Sequence, residues 1–63
     1  MNLKDLTEVS QTDFDNFVAA NTLTENSYSV CGLNNTEYFD GPELKAGKSE
    51  NVTSQETKYY LNL

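Results

Sequence analysis

The order of apolar and polar residues divides the chain near Asn21. Before it, Phe14, Phe17 and Val18 stand at i, i+3 and i+4, the spacing that lines one face of a helix. Ser10 and Thr12 both suit the capping position. Each is followed three residues later by a carboxylate, Asp13 or Asp15, which approximates a capping box and sets negative charge at the helix start. Asn21 supplies a stop. Upstream, Leu3, Leu6 and Val9 recur every three residues, which predicts a short helical turn on the same core. The two segments make either one helix or two. Joined, they place Leu3, Leu6, Phe14, Phe17 and Val18 in one sector and Asp5, Glu8 and Asp15 roughly opposite, an amphipathic helix with an acidic outer face.

Beyond residue 27 the pattern is that of strands. Residues 27–33 and 36–40 carry Tyr28, Val30, Tyr38 and Phe39, and between them Asn34-Asn35 tolerates the positive φ of a two-residue hairpin turn. Asp40-Gly41-Pro42 marks a second turn, and Gly47, within residues 45–48, marks a third. Residues 43–46, between those turns, are too few to assign. Residues 51–63 alternate: Thr57, Tyr59, Leu61 and Leu63 fall on one face, Glu56, Lys58 and Tyr60 on the other. The second half of this run predicts a strand, and if residues 57–63 form a sheet edge their unpaired backbone groups could add to another sheet. The expected fold is α+β: one domain over residues 1–63, in which an N-terminal helix of one or two segments packs on a small three-stranded antiparallel sheet.

Length sharpens the picture. A chain of 63 residues buries only about 60% of its unfolded surface, and folds this small often recruit a disulfide, a metal or a partner. Cys31 is the single cysteine and there is no histidine, so an intrachain disulfide and the usual structural zinc sets are excluded. Oligomerisation or partner binding remains. Ten acidic residues against four lysines give a net charge of −6 and a pI near 4.1. That balance opposes direct contact with nucleic acid or anionic membrane and favours a basic partner protein.

No stretch approaches the roughly 20 apolar residues of a membrane span, and the N-terminus lacks the basic and apolar parts of a signal peptide. The cytoplasm is the expected location, that of the host if the chain is virus-encoded. Asn34-Asn35-Thr36 and Asn51-Val52-Thr53 match the glycosylation pattern, which carries little weight without a signal peptide.

Candidate chemistry is sparse. Nucleophilic catalysis usually needs Ser or Cys beside a His, and His is missing. Cys31, between Val30 and Gly32, has no basic neighbour and is expected to be a small, buried or half-buried apolar residue within a strand. Asp13 and Asp15 point to different sides of a helix. The calcium-loop pattern they begin fails at Phe17, which takes the third ligand position. Gly47-Lys48-Ser49 ends like a phosphate-binding loop, but the glycine required five residues before Gly47 is Pro42. No enzyme, cofactor or metal site is expected. Tyr59-Tyr60 is the most suggestive pair, because on a strand one ring can anchor the core while the other serves an interface.

The reading that follows is a non-catalytic protein-binding module, an inhibitor or adaptor of the phage or mobile-element kind by analogy of size and charge alone. Asp5, Glu8, Asp15, Tyr59 and Tyr60 are its expected partner-binding residues, facing a basic protein such as one that handles nucleic acid. The alternative is a structural subunit of a homomeric or viral assembly that docks through its C-terminal strand and tyrosines. A third reading is a precursor peptide with a helical leader, although no processing signature is present.

Overall fold

The computed structural model describes residues 5–63. Its elements in chain order are β1 (Thr7–Val9), α1 (Gln11–Ala20), β2 (Thr24–Val30), β3 (Leu33–Asp40), β4 (Glu43–Asn51) and β5 (Glu56–Leu61). The strands form one five-stranded sheet in the order β1-β5-β4-β3-β2. All neighbours are antiparallel. Strands β2 to β5 are a meander of hairpins. β1 lies at one edge and β2 at the other, so α1 carries the chain across one face of the sheet.

The α+β class stands in its broad sense, but the expected three-stranded sheet is corrected to five strands. One additional strand corresponds to a misread periodicity and the other to a misread turn. A spacing of three puts two residues near one face of a helix but on opposite faces of a strand. Leu6 and Val9 obey the strand rule: Leu6 packs with Leu44, Phe39 and Tyr60, whereas Val9 packs with Phe14, Ala46 and Leu61. The helix therefore begins at Ser10, whose hydroxyl accepts the Asp13 N–H at 3.2 Å. It stops at Asn21, whose side-chain amide donates to the Phe17 carbonyl at 2.8 Å. The upstream helical turn is replaced by β1, and Leu3 lies outside the described residues.

The other added strand is β4, which runs through Gly47 without turning. Leu44 and Ala46 are buried in it, Ala46 completely. Register sets Gly47 between Glu37 and Tyr60, a residue without a side chain flanked by two large ones on one face. A bulge at Tyr38/Phe39 shifts the β3–β4 pairing, so that Phe39 meets Leu44 while Tyr38 meets Ala46.

The expected Asn34-Asn35 turn is also corrected. Both residues are inside β3, and the two-residue turn is Cys31-Gly32, with φ of 50° and 78°. Positive φ at both positions is what a type I′ hairpin requires. Cys31 is consequently exposed at a loop tip rather than buried in a strand. Gly41, at φ 61°, makes the second turn as expected. The third turn is held by Asn51, whose Oδ1 accepts the N–H groups of Thr53 and Ser54 at 2.9 and 3.1 Å.

Two apolar clusters hold the layers. On the helix-bearing face, Phe14, Ala46 and Leu61 are buried, with Phe17, Val18, Tyr38 and Tyr59 packed around them. The Phe14 ring lies 5.1 Å from that of Tyr59. On the open face the smaller cluster of Leu6 and Leu44 is shielded by Phe39 and Tyr60. Burial of such side chains at about 25 cal/mol per Å² is the main favourable term for a sheet with one covered face. No described helix is long and apolar enough to cross a membrane.

Candidate functional site

Charge is segregated in this fold. No lysine lies between Lys4 and Lys45, an interval that holds Asp5, Glu8, Asp13, Asp15, Glu25, Glu37, Asp40 and Glu43. The later lysines, Lys45, Lys48 and Lys58, sit on β4 and β5, the middle of the sheet. Lys45 is 2.9 Å from Glu43. The helix and the β2–β3 hairpin at the sheet's outer side therefore carry carboxylates without a cation of their own.

The expected acidic face of a single helix is not assembled. Asp5 precedes β1. Glu8 is in β1 opposite Tyr60, which aims it to the open face. Asp15 alone of the three is on α1. What the fold does bring within electrostatic reach of one group, Tyr38, is Asp15 and Glu25. Both carboxylates act on the Tyr38 hydroxyl, whose pKa is raised first by burial and then by the negative charge of Glu25 and Asp15. Glu25 lies before residue 27, where the strand pattern becomes evident in the sequence. Starting the alternation at Thr24 places it in the strand.

The open face has its own buried carboxylate. Glu37 is 9% exposed and Asn35 7%. The Tyr28 hydroxyl donates a hydrogen bond to Glu37, and its pKa is raised by burial and by that carboxylate. Tyr59 and Tyr60 divide between the faces as expected, yet both are half-buried and both pack on a core cluster. Tyr60 also borders an open hollow of about 300 Å³ with Leu33, Ser49, Asn51 and Lys58. That is the low end of the range for small-molecule pockets, and this hollow is open and polar where such pockets are concave and apolar.

The two sheet edges differ. β1 is three residues long, the short form that blunts an edge. β2 has seven residues, every one of them exposed, and contains no lysine, proline or bulge. The residues at 57–63 are represented by β5, which is not an edge but is paired on both sides by β1 and β4.

The chain matches no protein family, no curated protein and no solved structure.

Proposed function

We propose that this protein is a non-catalytic binding module that presents a lysine-free acidic surface to a basic surface on another protein, such as one that otherwise holds nucleic acid. The observation that carries this reading is the charge segregation, with Asp15 and Glu25 both within electrostatic reach of Tyr38 and the lysines among the described residues confined to β4 and β5. Fields of one sign speed encounter with an opposite partner and are weakened by salt. Glu8 adds a separate carboxylate on the open face at the β1 edge, and the exposed faces of Tyr59 and Tyr60 supply apolar contact.

The experiment is affinity capture from a host lysate at low and high salt, followed by light scattering of the purified complex. A basic protein retained at low salt and released at high salt, in a small complex of defined stoichiometry, is the expected result. Large self-association indifferent to salt would instead identify an assembly subunit.

A further inference from the structure

The exposed edge of β2 has a definite hydrogen-bonding pattern. In a two-residue hairpin the pair flanking the turn, here Val30 and Leu33, exchanges both backbone bonds, and such pairs alternate along the ladder. Thr24, Asn26, Tyr28 and Val30 thus spend their N–H and C=O groups on β3. Glu25, Ser27 and Ser29 direct theirs outward, to solvent. The register with β3 is unbroken over all seven residues, so these outward groups form a regular row.

The side chains along this row also alternate. Glu25, Ser27 and Ser29 lie on the helix-bearing face, where Asp15 approaches from α1. Asn26, Tyr28 and Val30 lie on the open face, with Tyr28 40% and Val30 51% exposed. An added strand would set its side chains about 5 Å from those of β2 on each face. One face of that strand would meet a carboxylate and the other an aromatic and a branched apolar residue. A second copy of this chain is a poor occupant, because each copy brings a net charge of −6 to the seam.

We propose that β2 receives an extended segment of a basic partner as a sixth antiparallel or parallel strand, with lysine or arginine facing Glu25 and apolar residues facing Tyr28 and Val30. This rests on the binding-module reading and names its means of recognition. Backbone pairing gives the segment its affinity and alternate side chains give it specificity.

The test uses the full chain and synthetic peptides in which lysine alternates with valine. Three are compared: one unmodified, and two N-methylated at alternate backbone nitrogens in the two possible frames. Binding is followed by fluorescence polarisation, and amide hydrogen exchange is followed by NMR at Glu25, Ser27 and Ser29. The proposal expects one methylation frame to bind at least about tenfold more weakly than the other, a loss of about 1.4 kcal/mol. It also expects slowed exchange at the three outward amides. Ser27→Pro removes one outward donor without touching the β2–β3 ladder, a position where edge strands accept proline, and is expected to weaken the unmodified peptide similarly.

Equal, salt-sensitive binding of all three peptides without protection of those amides would overturn strand addition and leave the acidic-surface reading standing. Failure of every peptide to bind at low salt would overturn both. Protection that rises with protein concentration alone would assign the edge to a second copy and also overturn the proposal.

Discussion

The ring of Phe14 stands nearly edge-on to that of Tyr38, with centroids 5.6 Å apart and planes inclined at 70°. This contact and the one to Tyr59 join α1 to β3 and β5 through a single side chain that is 3% exposed. Edge-to-face geometry sets the positive rim of one ring on the negative face of the other. Asp15, next to Phe14 on the helix, is within electrostatic reach of the Tyr38 hydroxyl.

Phe14→Ala therefore removes the main link between the layers. A phenylalanine-to-alanine change in a core costs about 3–5 kcal/mol. A chain of this length is expected to have roughly 3–9 kcal/mol in all, at 0.05–0.15 kcal/mol per residue. The variant should lose roughly half or more of this stability, seen by circular dichroism as a thermal transition at a much lower temperature. A cooperative thermal transition close to that of the wild type would show that the helix is held by something else.

Helix α1 was legible in the sequence because two signals agreed: the Phe14, Phe17, Val18 spacing, and Ser10 and Asn21 at its ends. The strands were less legible for specific reasons. Leu6 and Val9 satisfy two periods at once, and only tertiary packing on opposite faces decides between them. Gly47 has the chemistry of a turn but occupies a buried mid-strand position in register with Glu37 and Tyr60. The hairpin was misplaced because Asn34-Asn35 has better turn chemistry than Cys31, a residue that seldom adopts positive φ. The acidic surface was legible as net charge but not as geometry. Asp15 and Glu25 are ten residues apart in sequence and both act on Tyr38 only because the helix crosses the sheet.

Cys31 marks a place where the sequence is not optimal for its own turn. At φ 50°, ahead of Gly32, asparagine is the favoured residue for a type I′ turn. Cys31→Asn should stabilise the fold, by about 0.5–1 kcal/mol, as other turn-compatible substitutions do. Chemical denaturation at constant m-value measures this. A loss of stability would mean that the thiol makes a contact that matters more than the backbone. In the wild type the thiol should react at once with a maleimide without prior unfolding, since it is exposed.

Tyr28 and Tyr38 set the alkaline limit. Both hold their protons above the ordinary tyrosine value near 10, through burial first and neighbouring carboxylates second. The folded state then binds protons more tightly than the unfolded chain. Their contribution is fully present below the unfolded pKa and is lost as pH rises through the folded pKa values. Stability should accordingly be insensitive to these groups at neutral pH and fall above about pH 10. In an ultraviolet titration Glu37→Gln should lower the Tyr28 midpoint and leave that of Tyr38 in place. An unchanged Tyr28 midpoint would remove the carboxylate from the account of that shift.

The most direct test of the acidic-surface reading is calorimetric titration of the captured basic partner with wild type and with an Asp15→Asn, Glu25→Gln double variant, over a series of salt concentrations. Screening shortens the reach of exposed charges to about 10 Å at 0.1 M salt. The account predicts that wild-type affinity falls steadily with salt, and that the double variant binds more weakly at low salt with a shallower dependence. Identical affinities and identical salt dependence for the two proteins would contradict it.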